Sequence, residues 1–441
     1  MTIQMPEKVK YIIETIQAAG FEAYAVGGCV RDSILGRTPD DWDITTSAKP
    51  EQVKSLFRRT IDTGLQHGTV TVMLEKEGFE VTTYRIDGKY EDGRHPTEVT
   101  FTACLEEDLK RRDFTINAMA YNEQEGLVDI FGGMEDIGRK MIRCVGNPEA
   151  RFGEDALRIM RAVRFSAQLG YKIEEETERA IVRLAHTLTQ ISAERIQVEL
   201  VKLLVSPNPD YIEAAYKTGI TKVILPELDK AMECEQNTVH HCYTVGRHIV
   251  ETLKQVPADK VYRLGMLLHD IGKPERKTTD ENGKDHFHGH AGKGEEMAKV
   301  ILRRLKFDND TIYKVSKIVK YHDYGIGVLP TKKSVRKAIH KIGEDIYPYL
   351  FAVRKADILA QSEYEREAKL YRLALDQQFY EEILRDEECT SLKDLAVTGK
   401  DLIEAGVQPG PQLGEILERL LEEVLEDPSK NTKESLLALI P

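Results

Sequence analysis

The chain has 441 residues, of which 41% are apolar and 31% charged, and its formal net charge at pH 7 is -12. This length exceeds a single compact core and predicts two to four domains. The apolar runs are only a few residues long, so no transmembrane helix is expected, and the charged first twenty residues indicate a surface helix rather than a signal peptide. Six scattered cysteines without a CxxC pair favour a reducing, cytoplasmic location and argue against a zinc ribbon.

Residues 1–148 combine strand and helix signals. Short β-branched or aromatic runs predict strands within 21–28, 42–46, 69–74 and 79–85, and 51–57 has helical spacing. From residue 149 onwards the apolar residues recur at helical spacing. The sequence therefore predicts an α+β chain, in which a mixed-sheet head (1–148) is followed by an all-α neck (149–206), body (207–345) and tail (346–441).

A pair of aspartates lies in the second predicted strand. Asp41 and Asp43 are two residues apart, so their carboxylates project from one face of the strand and repel each other unless a cation lies between them. Mg²⁺ is the hard cation that such oxygen ligands favour. Upstream, Gly27 and Gly28 would let the backbone approach triphosphate oxygens, and Arg31 could pair with them. Taken singly, the aspartates are also compatible with solvated surface charge and the glycines with a simple turn.

The motif GGCVRD followed by DWDITT resembles the nucleotidyltransferase motif of the DNA polymerase beta superfamily. The resemblance implies a two-metal site that bridges the carboxylates and a triphosphate, with a third carboxylate on a neighbouring strand. Glu80 is the predicted third catalytic carboxylate, alongside Asp41 and Asp43. Glu75 and Glu77 are close alternatives, and Glu80 could also be an exposed strand residue.

A helix is predicted to begin near Glu154. Glu154, Asp155 and Arg158 would share one face of it, which an intrahelical salt bridge would explain. Alternatively, Asp155 could accept from an exocyclic amine while Arg158 donates to a ring nitrogen. Cytosine and adenine present that pattern, whereas guanine and uracil present the opposite polarity.

Five segments resemble, in family order, the motifs of bacterial class II CCA-adding enzymes: GGCVRD, DWDITT, EDLKRRDFTINAMAYN, EDALRIMRAVRF and SAERIQVEL. The resemblance implies Mg²⁺ ligation by Asp41 and Asp43, a structural neck role for Glu194 and Arg195, and tRNA, CTP and ATP as partners. No protein partner is indicated. The nucleotide-binding residues that it implies are Gly27, Gly28, Arg31, Arg112, Asp113, Asn117, Glu154, Asp155, Arg158, Arg161 and Arg164.

The same family includes enzymes that add only CC or only A, and poly(A) polymerases, which are alternative functions for this chain. The polar, glycine-rich stretch 85–101 indicates a loop. It resembles the flexible loop that full CCA-adding enzymes use in changing from C to A addition. The loop therefore favours addition of the complete CCA.

Eight of the twelve histidines lie between His240 and His322. Imidazole and carboxylate groups together suit a first-row divalent metal. The pattern around LLHDIGKP resembles an HD-superfamily phosphohydrolase, and implies a transition-metal site with His241, His269, Asp270 and Asp323 as ligands. Secondary candidates are His240, His286, His288, His290 and His322. Such a site could hydrolyse 2′,3′-cyclic or terminal phosphates on RNA, and a chain that is chiefly an HD phosphohydrolase is a further alternative.

The segment 397–424 contains a turn rich in glycine and proline before a predicted helix. Gly406, Gly410 and Gly414, with Pro409 and Pro411, could either connect two helices or offer backbone amides to phosphate groups. The segment resembles the tail of the CCA-adding enzymes, which implies that it grips the outer part of tRNA. Because the net charge is acidic, tRNA binding would depend on local basic patches.

Overall fold

A computed structural model of the chain describes residues 2–87 and 99–440, and it divides into two compact units, Met1–Pro226 and Glu227–Pro441. Most of the loop predicted at 85–101 lies outside the described residues and stays a prediction. The predicted boundaries at 148, 206 and 345 also stay predictions. Within the described residues, no helix combines the length and the apolar character that crossing a bilayer requires.

The first unit contains a seven-stranded sheet in the order β3-β4-β5-β2-β1-β8-β9. Of its pairings, β2 with β5 is parallel and the others are antiparallel, so the predicted mixed sheet is confirmed. The strands of this unit are β1 (Ala23–Val26), β2 (Ile44–Thr46), β3 (Thr60–Gly64), β4 (Thr69–Leu74), β5 (Glu77–Thr83), β6 (Arg85–Asp87), β7 (Val99–Phe101), β8 (Ala120–Asn122), β9 (Gly126–Val128), β10 (Met141–Ile142) and β11 (Lys172–Ile173).

Helices cover the sheet and continue beyond it. The first helix buries Val9, Ile12, Ile13 and Ile16, a three- and four-residue spacing that forms one apolar stripe against the sheet core. The helices of the first unit are α1 (Glu7–Ala18), α2 (Gly28–Ile34), α3 (Pro50–Leu56), α4 (Leu105–Lys110), α5 (Gly133–Arg139), α6 (Pro148–Glu154), α7 (Leu157–Leu169), α8 (Glu175–Leu184), α9 (Ala193–Leu204), α10 (Ile212–Lys217) and α11 (Thr221–Ile224).

The second unit is mostly helical, as the sequence predicts, apart from a two-stranded hairpin of β12 (Thr278–Thr279) and β13 (Asp285–His286). A separate apolar cluster around Leu402, Leu420 and Val424 forms the core of its last helices. Its helices, the first beginning at the boundary, are α12 (Pro226–Met232), α13 (Val245–Leu253), α14 (Lys260–Leu268), α15 (Lys273–Arg276), α16 (His290–Arg304), α17 (Asn309–Tyr321), α18 (Lys332–Ile342), α19 (Tyr347–Ala360), α20 (Arg366–Arg385), α21 (Gly399–Glu404), α22 (Gln412–Glu426) and α23 (Lys433–Leu437).

Candidate active site

The turn between β1 and α2 requires glycine at its first position. Gly27 has φ 83° and ψ -129°, a region that side chains other than hydrogen rarely adopt. A Cβ atom built at Gly27 would lie 3.0 Å from Nη1 of Arg112. The backbone N–H of Gly27 donates to the carbonyl of Met119 at 3.1 Å. The turn therefore lies directly against the Arg112 side chain.

The paired aspartates lie in the extended segment that leads directly into β2, not within the strand itself as predicted. The carbonyl of Asp43 accepts from the N–H of Val26 at 3.0 Å, which ties this segment to the end of β1. In the parallel pairing of β2 with β5, Ile44 is opposite Val81. The residues one position earlier, Asp43 and Glu80, are therefore neighbours at the same edge of the pairing.

The three carboxylates influence one another electrostatically. Desolvation is the main cause that raises the pKa of Asp43, the charge of Asp41 raises it further, and Arg112 opposes the rise. Desolvation likewise raises the pKa of Glu80, followed by the charges of Asp43 and Asp41. A divalent cation would relieve this repulsion, so the oxygen donors at 41, 43 and 80 fit a hard metal ion. The alternatives Glu75 and Glu77 are instead exposed and pair with Lys8.

Arg31 is buried and committed to protein partners. Its Nε and Nη2 donate to the two carboxylate oxygens of Asp32 at 2.9 and 2.8 Å, and its Nη1 donates to Oδ1 of Asn117 at 2.6 Å. The amide of Asn117 in turn donates to Oδ1 of Asp113 at 3.2 Å. Arg31 and Asn117 therefore brace the glycine turn from inside, and phosphate binding by Arg31 stays a prediction.

Asp113 is a buried anion between two arginines. Nε of Arg161 donates to Oδ2 of Asp113 at 2.7 Å. Burial alone would raise the pKa of Asp113, but the charges of Arg161 and Arg158 outweigh it and lower that pKa to about 2. The carboxylate is therefore charged at neutral pH, and it fixes the position of Arg161.

The segment around Asp155 is not one continuous helix, contrary to the prediction. Helix α6 ends at Glu154, Asp155 has extended backbone angles (φ -143°, ψ 105°), and α7 begins at Leu157. Oδ1 of Asp155 accepts from the N–H of Leu157, the first residue of the second helix, at 3.0 Å, although the N-cap position itself is Ala156. The break arises because this local hydrogen bond competes with continuation of α6.

Asp155 and Arg158 do not pair with each other through their side chains. Nη1 of Arg158 donates to Oε2 of Glu154 at 2.6 Å, as the four-residue spacing predicts. Oδ2 of Asp155 instead accepts from Nη2 of Arg195 on α9 at 2.7 Å. Nη2 of Arg158 donates to the carbonyl of Arg111 at 2.9 Å, one residue before the Arg112 that faces Asp43. Arg158 is therefore anchored to the backbone of the segment that carries Arg112.

Arg164 lies further along α7 and points into the interior. It is 6% exposed, and its Nε lies 2.5 Å from Oε2 of Glu199 on α9. Burial is the main cause that lowers the pKa of Arg164 to about 10. These contacts show Arg164 joining α7 to α9, and a direct nucleotide contact by Arg164 stays a prediction.

In the second unit, four histidines direct their Nε2 atoms towards two buried aspartates. His248 Nε2 lies 2.8 Å from Oδ1 of Asp357, and His269 Nε2 lies 3.3 Å from Oδ2 of Asp270. His290 and His322 place their Nε2 atoms 3.5 and 3.6 Å from Oδ1 of Asp270. Within the described ranges, two groups whose ligand atoms lie within 4.8 Å of one another result, and they share Asp270: His248, His269, Asp270 and Asp270, His290, His322.

The ring orientations in this cluster suit metal ligation. The Nδ1 atoms of His269, His290 and His322 lie 2.7, 2.9 and 2.7 Å from backbone carbonyls. Since a carbonyl can only accept, each Nδ1 carries a proton, and Nε2 is the ring atom left to face the cluster. The Nε2 atoms of His290 and His322 face each other at 3.4 Å. A proton between these two nitrogens, or a metal ion bound by both, accounts for their close approach.

The structure does not bring two of the predicted metal ligands into either group. Nε2 of His241 lies 3.4 Å from Nζ of Lys273. The side chain of Asp323 is 41% exposed, and its carboxylate lies 3.8 Å from Nε2 of His290. We therefore revise the candidate ligands to include His248, a member of the first group, and Asp357, whose Oδ1 lies 2.8 Å from Nε2 of His248. The sequence reasoning missed both. Both were detectable as polar residues on the apolar faces of helices, in VGRHIVETL and KADILA.

The remaining histidine candidates have other partners. His240 lies 3.3 Å from Nζ of Lys369, and its ring packs edge-on against Tyr364. His286 lies 2.9 Å from the carboxylate of Asp280 and stacks with His288. These three residues are therefore outside the two converging groups.

Comparison with known proteins decides the family. Residues 23–143 match the Poly A polymerase head domain, 170–232 match the probable RNA and SrmB-binding site of polymerase A, and 286–440 match the putative tRNA nucleotidyltransferase domain 2. The CCA-adding enzyme of Levilactobacillus brevis is 37% identical over 437 residues, covering 98% of this chain and 97% of that protein. The chain belongs to the CCA-adding enzyme family. It is accordingly a nucleotidyltransferase, as the sequence predicts.

Other members of the CCA-adding family agree in sequence and in fold. The CCA-adding enzyme of Pediococcus pentosaceus is 35% identical over 433 residues, covering 98% of this chain and 96% of that protein. The crystal structure of the Bacillus stearothermophilus CCA-adding enzyme in complex with CTP superimposes with a TM-score of 0.74 at 30% identity, covering 99% of this chain and 97% of that one. The Thermotoga maritima CCA-adding enzyme complexed with tRNA has the same fold, with a TM-score of 0.58 at 22% identity.

The raised pKa values of Asp43 and Glu80 predict how the stability of this CCA-adding family member depends on pH. Desolvation and mutual repulsion raise the pKa of Asp43 and Glu80 in the folded protein above their ordinary values of 3.8 and 4.5. At pH values just above these ordinary values, the folded protein therefore binds more protons than the unfolded chain. Their contribution to stability falls as pH rises through this range. In EDTA, Asp43→Asn is expected to raise the melting temperature at pH 7 relative to wild type, and to leave it nearly unchanged at pH 3.5.

Differential scanning calorimetry of wild type and Asp43→Asn at both pH values, with and without Mg²⁺, measures this effect. Mg²⁺ should raise the wild-type melting temperature and have a smaller effect on Asp43→Asn. Asp40→Asn, an exposed neighbouring carboxylate, serves as the matched control. An equal Mg²⁺ response in all three proteins would contradict the assignment.

Proposed function

We propose that this protein adds C and A to the 3′ end of tRNA from CTP and ATP, without a nucleic-acid template. The observation that carries the proposal is the link between two groups of residues. Asp43 interacts electrostatically with Asp41, Glu80 and Arg112, and the carbonyl of the neighbouring Arg111 holds Arg158 in place. Catalysis and nucleotide choice are thereby brought together at one edge of the head.

Asp41 and Asp43, with Glu80, would hold the divalent ions, for which we propose Mg²⁺. When bound, these ions supply Lewis-acid stabilisation of the triphosphate during attack by the RNA 3′ hydroxyl. The Gly27–Gly28 turn offers backbone without side chains, so phosphate oxygens can approach it closely. Arg112 adds a positive charge at the same edge, which would favour the triphosphate over neutral ligands.

Asp155 and Arg158 are the proposed base-selecting residues. We infer that Asp155 accepts from the exocyclic amine of cytosine or adenine while Arg158 donates to a ring nitrogen. Their positions are supported from behind by Arg195 and Glu154, so neither side chain has to be ordered when the nucleotide arrives. A fixed pair of this polarity would disfavour guanine and uracil.

The turn before α22 in the tail and the free cysteines are both compatible with a tRNA substrate. Gly410 is exposed just ahead of the fifteen-residue α22, Gly414 is exposed in the first turn of that helix, and a Cβ atom at either glycine would meet open space. We propose that this turn contacts tRNA phosphates. All six cysteines are free thiols, and we infer a reducing cytoplasm as the location, where tRNA is processed.

Incubating tRNA that lacks its 3′ end with radiolabelled CTP and ATP tests the main proposal. The expected product carries CCA and no more. Products with CC alone, A alone or a long A tail would instead assign the partial or poly(A)-adding alternatives. No incorporation at all would overturn nucleotidyl transfer as the function of the head.

The histidine cluster favours a second activity of the same chain. We propose that it binds first-row divalent metals and hydrolyses 2′,3′-cyclic or terminal phosphates at RNA ends, preparing them for C addition. The convergence of four Nε2 atoms on Asp270 and Asp357 supports this proposal. Release of product from 2′,3′-cyclic CMP by wild type and Asp270→Ala tests it, and equal background rates would end it.

The revised ligand assignment gives a separate prediction. Asp357→Asn is expected to lower the affinity for Mn²⁺ or Ni²⁺ by about 10-fold or more, because it removes a charged oxygen beside His248. Asp323→Asn should change it by less than about twofold, since the Asp323 carboxylate is 41% exposed and lies 3.8 Å from His290. Elemental analysis after dialysis against each metal measures the difference. The revision is wrong if Asp323→Asn loses metal and Asp357→Asn retains it.

A further inference from the structure

The second unit contains a cavity of about 410 Å³ between the loop 324–330, α18, α19 and α20. Apolar side chains make up most of its wall, among them Ile326, Val335, Ile358 and Leu373. This volume falls in the range of small-molecule sites, roughly 300–1,000 Å³. The cavity lies entirely within the second unit.

Three cations line this otherwise apolar cavity: Arg354, Lys369 and Arg372, with Asp376 as a carboxylate. Asp376 is already neutralised, because it accepts from Nη1 of Arg354 at 2.9 Å and from the hydroxyl of Tyr347 at 2.7 Å. A surplus of positive charge therefore remains in the cavity, although the chain as a whole carries -12. Such a surplus indicates an anionic ligand.

Arg354 has one edge of its guanidinium group unused. The residue is 7% exposed, and among the residues that the structure describes neither its Nε nor its Nη2 has a hydrogen-bond partner. In Arg31 the same two atoms grip both oxygens of the Asp32 carboxylate. Buried N–H donors without partners are costly, so an acceptor with two oxygens, such as a phosphate, would complete the site.

The cavity is also connected to the histidine cluster. Nε2 of Gln361 donates to Oδ2 of Asp357 at 2.9 Å, and Oε1 of Gln361 accepts from Nζ of Lys369 at 2.8 Å. Burial is the main cause that lowers the pKa of Lys369, so an anion beside its ammonium group would favour the charged form. One amide thus joins a candidate metal ligand to a cation of the cavity.

We propose that this cavity is a second nucleotide site, which binds nucleoside monophosphates. The phosphate occupies the edge formed by Arg354, Lys369 and Arg372, and the base lies against the apolar wall. The two open N–H groups of Arg354 suit the oxygens of a phosphate, and the apolar wall suits a flat base rather than a free inorganic anion. The proposal goes beyond CCA addition, and it does not require the cluster to hydrolyse phosphates.

Isothermal titration of the full chain with AMP in EDTA tests the proposal, because EDTA removes divalent ions from the head and from the cluster. Arg354→Gln and Arg372→Gln are expected to weaken AMP binding by about 10-fold or more, the effect of losing a charge-assisted hydrogen bond. Arg385→Gln is the matched control, since it removes the same charge from an exposed position on α20, the helix that carries Arg372. If Arg354→Gln does not fold, as monitored by circular dichroism, Arg372→Gln decides.

Adenosine, inorganic phosphate and octanoate complete the titrations. AMP binding that is tighter than that of each of these three, and that is lost only in the cavity variants, supports the site. The proposal is overturned by the absence of AMP binding, by AMP binding that both cavity variants retain, or by binding of octanoate or phosphate at least as tight as that of AMP. A failure of cyclic-phosphate hydrolysis would leave this binding result unaffected, so the two hypotheses can be separated.

Discussion

Replacing Asp43 with alanine is expected to lower the rate of CTP and ATP incorporation by about 10³-fold or more, a loss of several kcal/mol of transition-state stabilisation. The physical reason is that the charge of Asp43 interacts with those of Asp41 and Glu80, the other two proposed metal ligands. Removing Asp43 therefore leaves an incomplete set of oxygen ligands for the divalent ions. The affinity for tRNA should change by less than about twofold, because one carboxylate contributes little to binding of the phosphate backbone. Single-turnover extension of tRNA lacking its 3′ end, together with filter binding, measures both quantities.

Asp40→Ala is the matched control, because it removes the same charge from an exposed position three residues upstream. It should retain nearly wild-type incorporation. If Asp43→Ala kept more than about a tenth of wild-type activity, the carboxylate would not be a metal ligand, since loss of such a ligand costs far more. Equal losses in the two variants would point to a general effect of charge on substrate approach.

Replacing Arg158 with glutamine is expected to reduce the preference for CTP and ATP over UTP and GTP by about 10- to 100-fold. The substitution removes the fixed positive donor that disfavours bases of the opposite polarity. It also releases Glu154 and the Arg111 carbonyl, both of which Arg158 holds, so the overall rate should fall as well. Competition assays with all four nucleotides, each scored as kcat/KM on the same tRNA, give the preference directly.

Arg179→Gln offers a matched comparison, because Arg179 is an exposed arginine on α8 whose carboxylate neighbour, Glu175, is also exposed. Its nucleotide preference should equal that of wild type. A rate loss in Arg158→Gln with an unchanged preference would assign Arg158 a purely structural part. Base selection would then have to be sought in Asp155 alone, by the same assay on Asp155→Asn.

The sequence predicted the head well where local patterns determine structure. The strand predicted over 69–74 coincides with β4, and the helix predicted over 51–57 lies within one residue of α3. The break after Glu154 was not predictable from periodicity, because Glu154 and Arg158 still meet across it as they would on an unbroken helix. At the break, the Leu157 N–H donates to the Asp155 side chain. The spacing of apolar residues carries no information about such a hydrogen bond.

The histidine cluster shows a different limit. The adjacent pair His269 and Asp270 is recognisable in the sequence, whereas His248 and Asp357 lie 109 residues apart and meet only through packing of α13 against α19. Spacing along the chain therefore favoured the nearer residues, His241 and Asp323. Burial separates the two aspartates: Asp357 is 5% exposed, while the side chain of Asp323 is 41% exposed.

Three consecutive residues in the head, Arg111 to Asp113, each interact with a different residue of the proposed reaction site. The carbonyl of Arg111 accepts from Arg158, the guanidinium of Arg112 lies beside Asp43, and the carboxylate of Asp113 holds Arg161. Because one short stretch of backbone joins them, we expect a shift at one of these residues to displace the other two. Variants selected for accepting an unnatural base should therefore turn over slowly even with their preferred nucleotide.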